Sequence, residues 1–396
     1  MWFEREIHGP LRHLHAQRPA LLLTGSRQTG KTSLLERTFS NHQYVSLDLP
    51  ALADEAEHNG QQFLARHPPP LIIDEVQHAP GLFRYLKVEL AKHRDRDGLY
   101  LLTGSQKFEL MGGVSESLSG RIAIVELHSL SLAEIERHLG KPISGADVVP
   151  WLWRGGYPEL VARDLSPRRY YADYVATYLE RDVRQIINVR DLRDFDRFLR
   201  LCALRTGQLL SMNSLASDVG KSPNTIRAWL AVLEASNVVR LVQPFIRNLG
   251  KRLVKTPKLY FDDVGLACFL CGLDSAEALR GSALLGPIWE TAVLGQLVRR
   301  YANRCEPLNV YFYRDHWGTE VDFVIPQGEK LRLYECKWSE TPEMNVKAFV
   351  ELERLAGAGN ILSRSLVTPR RGRRVVAGVT IEDAIDLAAD IVPEGV

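Results

Sequence analysis

"ALLLTGSRQTGKTSLLERTF" occupies positions 20–39 and decides the architecture of the first third of the chain. Positions 20–25, "ALLLTG", form an apolar run of strand length. Positions 32–39, "TSLLERTF", have the composition of a helix. Between them Gly25, Gly30, Lys31 and Thr32 fit G-x-x-x-x-G-K-[ST] in the strand–loop–helix context that gives the motif its meaning. The glycines let the backbone turn its N–H groups toward phosphate oxygens, and the following helix N-terminus adds partial positive charge. Ser26, Arg27, Gln28, Thr29 and Ser33 complete the stretch expected to cradle a nucleotide. Lys31 would reach the β- and γ-phosphates of ATP, and Thr32 would ligate Mg²⁺.

Working outward, the first 145 residues alternate strand and helix, as a parallel sheet requires. Strands are expected at 44–49, 71–76, 98–105 and 122–127. In "LIIDEV" (71–76) apolar residues carry two acids out at the strand's end. There Asp74 would hold Mg²⁺ through water, and Glu75 would polarise the attacking water. In "YLLTGSQ", Thr103 or Ser105 could sense the γ-phosphate by a hydrogen bond. Arg121, just before "IAIVEL", has two readings: an arginine finger reaching a neighbouring subunit's ATP, or a surface arginine.

The 396 residues are 45% hydrophobic and 25% charged with a formal net charge of +2, the composition of a soluble globular protein with no overall field demanding nucleic acid. That length suggests several domains. The five cysteines are odd in number and scattered, which argues against a disulfide framework. Cys268 and Cys271 form a lone C-x-x-C without a second ligand pair, and read as buried helix thiols. No apolar run reaches membrane-spanning length, and "MWFEREIHGP" is not a signal peptide, so the expected location is the cytoplasm.

From 146 to 207 the pattern is helical, with "RRYYADYVATYLERDVRQI" its clearest stretch. From 208 to 280 a second kind of unit begins: a helix, a turn at Gly220, then a helix capped by Ser222 with Pro223 at its first position. Ile226, Trp229, Leu230 and Leu233 share the core face of that second helix. Asn224, Thr225 and Arg227 lie outward near its N-terminus, where a recognition helix meets a DNA groove. The apolar strands after it would be a wing, with Arg240, Arg247 and Lys251 able to meet phosphate. A packing or protein-contact module is the alternative.

"GSRQTGKTSLLE", "LIIDEVQHAPGLFRYLK", "YLLTGSQ" and "SLSGRIAIVEL" resemble the AAA+ superfamily. More narrowly they resemble a bacterial and archaeal set of AAA+ ATPases with a winged helix and a C-terminal domain of unknown function. "GGYPEL" (155–160), "YLERDV" (178–183) and "KLYFDDVGLACFL" (258–270) extend the resemblance over nearly the whole chain. It implies an Orc/STAND-like core followed by a helical lid, with Arg181 placed where a second sensor is expected. It also implies a homo-oligomer, with a hexameric ring the commonest arrangement and a monomeric resting switch the alternative.

In 281–396, "GPIWETAVLGQLVRRY" reads as a helix carrying Glu290. "EVDFVIPQGEKLRLYECK" (320–337) reads as two strands around a turn at 326–329. Alternation puts Glu320 with Asp322 on one face, and Glu335 with Lys337 on one face. Glu290, Asp322 and Glu335-x-Lys337 resemble the PD-(D/E)XK nuclease pattern, although Val321 stands where that pattern has proline. The resemblance implies Mg²⁺ held by Glu290, Asp322 and Glu335, with Lys337 stabilising charge on the phosphate. The alternatives are a solvated charged hairpin and a nuclease-like fold without activity.

The expected fold class is multidomain α/β: a P-loop parallel-sheet core (1–145), a helical lid (146–207), a winged helix (208–280) and a restriction-endonuclease-like domain (281–396). The expected function is an ATPase, with Mg²⁺ as cofactor, that processes DNA. A regulatory ATP switch with a binding-only C-terminal domain is the second reading.

Overall fold

The computed structural model describes residues 2–93, 95–105, 117–163, 165–179, 192–245, 254–343 and 346–391. The chain divides into two compact units. The first takes in Met1–Leu130 with two short later segments, Ala235–Asn237 and Tyr301–Pro307; the second holds the remainder. Arg181, Arg247 and Lys251 lie outside the described residues.

The first unit is built on β1 (Ala20–Thr24), β2 (Gln43–Ser46), β3 (Leu71–Asp74), β4 (Tyr100–Gly104) and β5 (Ile122–Glu126). All pairings are parallel, in the order β2-β3-β4-β1-β5. Each strand residue of β1, β3 and β4 is buried, because helices cover both faces of a parallel sheet. Strand periodicity sorts these residues between two cores. Leu22, Ile73 and Leu102 pack with Ala56, Phe63, Leu82 and Leu86. Those partners come from α3 (Pro50–His58), α4 (Gly60–Arg66) and α5 (Leu82–Lys92). Leu21, Leu23, Ile72 and Leu101 point the other way, onto Leu11, Leu34 and Leu35. These belong to α1 (His8–His15) and α2 (Lys31–Thr38).

The second unit begins with α6 (Leu132–Leu139), started by a capping box between Ser131 and Glu134. Then come α7 (Val148–Arg154), α8 (Pro158–Ala162) and α9 (Pro167–Tyr174), the last running into a π-helical turn at Val175–Leu179. After α10 (Leu192–Ala203), a three-stranded antiparallel sheet of order β6-β8-β7 forms from β6 (Gln208–Leu209), β7 (Val239–Val242) and β8 (Lys258–Phe261). The chain between β6 and β7 folds as α11 (Met212–Val219) and α12 (Pro223–Ala235). Gly220 ends α11 in the left-handed region, and Ser222 Oγ accepts the Thr225 N–H at 3.1 Å. Ile226, Trp229, Leu230 and Leu233 are buried, and Trp229 packs edge-on against Phe195 and Phe198 of α10.

Two stretches that looked like family marks meet at a structural joint. Asp263 caps α13 (Val264–Leu270), accepting the N–H groups of Gly265 and Leu266. It also accepts the Gly156 N–H at 3.0 Å and the Tyr171 hydroxyl at 2.7 Å. A Cβ on Gly155 would stand 2.2 Å from that hydroxyl, so the first glycine of "GG" is a requirement of close approach. Cys202 and Cys268 are buried free thiols, and Cys271 is half-buried.

After α14 (Ala276–Arg280) and α15 (Leu285–Asn303), a six-stranded mixed sheet closes the chain in the order β13-β14-β12-β11-β10-β9. Its strands are β9 (Tyr311–Arg314), β10 (Glu320–Gln327), β11 (Lys330–Cys336), β12 (Ile361–Val367), β13 (Arg374–Val376) and β14 (Val379–Glu382). The turn between β10 and β11 is shorter than the four residues expected. Pro326 and Gln327 remain paired, with Leu331 and Lys330, and only Gly328 and Glu329 turn. A strand proline is tolerated where its missing N–H costs no ladder bond. Among the described residues, no helix is long and apolar enough to cross a membrane.

His15 supplies a test of the first unit's packing. Its ring lies 4.6 Å from Phe39, and its Nε2 is 3.0 Å from His42 Nε2. Burial, then the neighbouring His42, pulls its pKa down to about 4. A histidine held below its unfolded value stabilises the fold fully above about pH 6.5. That contribution is lost as pH falls through about 4. Wild-type thermal midpoints should therefore fall more steeply between pH 6.5 and 4 than those of His15→Gln. The difference in slope should not exceed about 1.4 kcal/mol per pH unit, the value for one proton.

Candidate nucleotide site and acidic cluster

In the first unit, β4 lies between β1 and β3, so its C-terminal end faces both the glycine loop and Asp74. Gly25 has φ +142°, and a Cβ there would fall 2.1 Å from the Leu127 carbonyl oxygen. No other residue fits, and the loop is thereby seated against the end of β5. Gly30 adopts φ +89° as the N-cap of α2, with nothing within 4 Å of a built Cβ. Its surroundings are open enough for a ligand to approach the backbone. Arg5, buried, donates to the carbonyls of Thr29 (3.0 Å) and His128 (2.8 Å), bracing the loop from beneath. Ser26 Oγ donates to the Ser236 and Asn237 carbonyls at 3.3 and 3.1 Å.

Lys31 is buried, with its Nζ donating to the carbonyls of Gly25 (2.9 Å) and Ser26 (3.0 Å). Burial pulls its pKa down to about 8, against the opposing pull of Glu75 and Asp74. The ammonium is thus held by two neutral carbonyls, weak partners for a buried charge, beside a loop shaped for phosphate.

Asp74 is buried and accepts three hydroxyls. Thr32 Oγ1 donates at 3.0 Å, Tyr44 at 2.9 Å, and Thr103 Oγ1 in a short bond. Glu75 stands in the left-handed region at φ 54°, an uncommon position for this residue type. Its N–H donates to Thr103 Oγ1 at 3.1 Å, and its carboxylate accepts the Gln77 amide. Thr103 therefore ties both acids of "LIIDEV" to β4. Ser105 is buried, and its hydroxyl has no hydrogen-bond partner among the described residues. Arg121 is half-buried in the turn before β5. Tyr44, Arg5 and Gln77 went unread in the sequence. Tyr44 could have been found from strand register, since Tyr44 and Asp74 lie on the adjacent parallel strands β2 and β3.

The second unit holds two further groups of residues singled out in the sequence. Asn224 and Arg227 are exposed on α12 with Thr225 half-buried between them, and Arg227 donates to Asn224 Oδ1 at 3.3 Å. Arg240, expected to face phosphate, pairs with Asp262 at 3.3 Å.

The acids of the C-terminal pattern do converge, but in a different set. Glu290 of α15 and Glu320 and Asp322 of β10 bring ligand oxygens within 4.8 Å of one another. Glu335, also expected as a metal ligand, accepts from Lys337 Nζ at 2.8 Å, and its Oε2 is buried without a hydrogen-bond partner among the described residues. Asp322 Oδ2 accepts the Cys336 N–H at 2.7 Å. Burial, then the neighbouring Glu290 and Glu335, holds the Asp322 carboxyl well above the usual carboxylate range. Glu335 is also raised, by burial first, with Lys337 opposing.

A fourth member went unread as a site residue: Lys258 of β8, only 2% exposed. Its Nζ lies 2.9 Å from Glu290 Oε1, 3.8 Å from Asp322 Oδ1, and in a short ion pair with Glu320 Oε1. Burial would lower its pKa, but Glu290, Asp322 and Glu320 together hold it above the ordinary lysine value. The available signal was a lysine at the head of the apolar strand "KLYF", since such a charge needs an anionic partner inside.

Residues 17–136 match a family described as "AAA domain". Over 345 residues the chain is 32% identical to the uncharacterized proteins Rv2008c of Mycobacterium tuberculosis and Mb2031c of Mycobacterium bovis, covering 86% of this chain and 75% of each relative. The chain belongs to the family of these two proteins and carries an AAA domain. Residues 145–277 and 285–381 match two domains of unknown function, DUF8612 and DUF4143. Among solved structures, the Walker-type ATPase PABY2304 of Pyrococcus abyssi is 20% identical, covering 68% of this chain and 96% of its own, at a TM-score of 0.46. The RuvB Holliday junction branch migration motor of Thermotoga maritima is 18% identical, covering 60% and 89%, at a TM-score of 0.31.

The AAA domain implies ATP and, with it, Mg²⁺, and the residues of the first unit fit both. The loop backbone is unobstructed at Gly30, Thr32 and Asp74 are within bonding distance, and the buried Ser105 hydroxyl lacks a partner among the described residues. The C-terminal cluster has donors of the right type for Mg²⁺, but an ammonium stands among them. As arranged, that set does not fit the metal.

Lys31→Met separates the two roles of its side chain. The nucleotide-free variant should melt at or above the wild-type temperature, because it no longer buries a weakly held charge. ATP should no longer raise its melting temperature, and hydrolysis should fall roughly 100-fold or more. Differential scanning fluorimetry and phosphate release read these outcomes.

Proposed function

We propose that this AAA-domain protein hydrolyses ATP to act on DNA. The observation that carries the reading is the set of groups gathered around Asp74, where Thr32, Thr103 and Glu75 meet beside the glycine loop. On phosphate binding, Lys31 would exchange two carbonyls for an anionic partner, a stronger interaction for a buried ammonium. Glu75, oriented by its backbone bond to Thr103 and by Gln77, would polarise the attacking water. Ser105 would donate its hydroxyl to the γ-phosphate. Mg²⁺ held by Thr32 and Asp74 would draw charge from the β- and γ-phosphates. Arg121, if offered to a neighbouring copy, would complete that copy's site, and a homo-oligomer follows from this role.

The α11–α12 pair with β7 and β8 supports a winged-helix reading, in which Asn224, Thr225 and Arg227 contact DNA. The C-terminal sheet and α15 support a nuclease-like fold. A second reading, an ATP-driven switch whose C-terminal part only binds a partner, is favoured by Lys258 standing where a nuclease needs its metal.

The test is ATP hydrolysis with no DNA and with single-stranded, duplex and branched DNA, for wild type, Arg227→Glu and Arg121→Ala. The expected outcome is a severalfold DNA stimulation that Arg227→Glu abolishes. Arg121→Ala should lower the rate with and without DNA. ATPase activity indifferent to every DNA would give the switch reading the lead.

A further inference from the structure

The acidic cluster of the second unit is already neutralised from within, and the source of the charge is built into the fold. Lys258 begins β8, the central strand of its sheet, and its backbone is paired on both sides, with Val242 of β7 and Leu209 of β6. Fraying of an edge therefore cannot release it. Strand alternation aims Lys258 and Tyr260 to the same side, and both donate to Glu290 Oε1. The ammonium also lies 5.5 Å from the centre of the Phe312 ring, so its remaining surroundings are aromatic rather than aqueous.

The other carboxylate oxygens are mostly spoken for. Glu320 Oε2 accepts from Arg314 at 2.6 Å, Asp322 Oδ2 from the Cys336 N–H, and Glu335 Oε1 from Lys337. A divalent cation drawn to Glu290, Glu320 and Asp322 would have to share their centre with Lys258 Nζ. Like charges at that separation in a water-poor interior repel strongly. Nor can the lysine withdraw to water, because it is 2% exposed and carried by a strand paired on both sides.

We infer that Lys258 is the resident cation of this cluster and keeps divalent metal out of it. The cluster is then an internal ion pair, without the divalent metal that hydrolysis of a phosphodiester bond there would need. This inference stands apart from the action of the ATPase on DNA, because it concerns metal binding alone.

Mn²⁺ is the probe, followed by the electron paramagnetic resonance of the free ion, on the full chain without nucleotide or DNA. Wild type and Asp322→Asn should give the same titration, since the cluster contributes no site in either. A wild-type Mn²⁺ site that disappears in Asp322→Asn overturns the inference. Lys258→Met keeps the length of the side chain and removes its charge. It should gain one Mn²⁺ site, about tenfold or more tighter than any in wild type, that is lost again in Lys258→Met/Asp322→Asn. Its melting temperature should also rise with Mn²⁺. A folded Lys258→Met, verified by circular dichroism, that gains no site would equally overturn the inference. If that variant does not fold, the comparison of wild type with Asp322→Asn decides.

Discussion

Asp74 keeps a carboxylate buried at the end of a strand because three hydroxyls, from Thr32, Tyr44 and Thr103, converge on it. Each donor comes from a different element: α2, β2 and β4. The strand order β2-β3-β4-β1-β5 makes this possible by setting β4 between the loop-bearing β1 and the acid-bearing β3. A buried charge is tolerable only when its bonding capacity is met. The site's geometry and the sheet's topology are therefore one constraint. Misplacing β2 or β4 would cost the buried charge one of its three partners.

The same requirement governs the second unit with opposite emphasis. There a buried ammonium is surrounded by an excess of carboxylates, and the fold relieves the imbalance in three ways. Lys258 pairs directly with the acids, Lys337 draws Glu335 aside, and the Cys336 backbone N–H takes one oxygen of Asp322. Near the candidate nucleotide site, Ser105 finds no hydrogen-bond partner among the described residues and Lys31 leans on neutral carbonyls. One unit is poised for an anion and the other has supplied its own cation.

The parallel core was legible because its information is local. An apolar run, a glycine loop with lysine and threonine, and two acids at a strand end each imply their own geometry within a few residues. The core face of α12 was legible for the same reason. Arg5 and Tyr44 were not, because their partners lie far off in sequence: Arg5 meets Thr29 and His128 across the sheet. Alternation placed Glu320 beside Asp322 but could not show which acids would gather. That depended on Lys258, which follows two of the three strands of its own sheet and precedes the acids by more than thirty positions. The strand β12 was missed because Ser363, Arg364 and Ser365 interrupt the apolar run that marks a buried strand.

The position of Lys258 also bears on how this protein can be taken apart. The lysine belongs to the stretch matched by one domain of unknown function, residues 145–277, whereas Glu290, Glu320 and Asp322 belong to the next, residues 285–381. The recognisable sequence modules are thus joined by an ion pair that neither contains whole. Cutting between them would take their shared ammonium from Glu290, Glu320 and Asp322, leaving Glu320 only Arg314, and would strand a lysine on a buried strand. A recombination breakpoint near position 280 would separate Lys258 from the acids it pairs with.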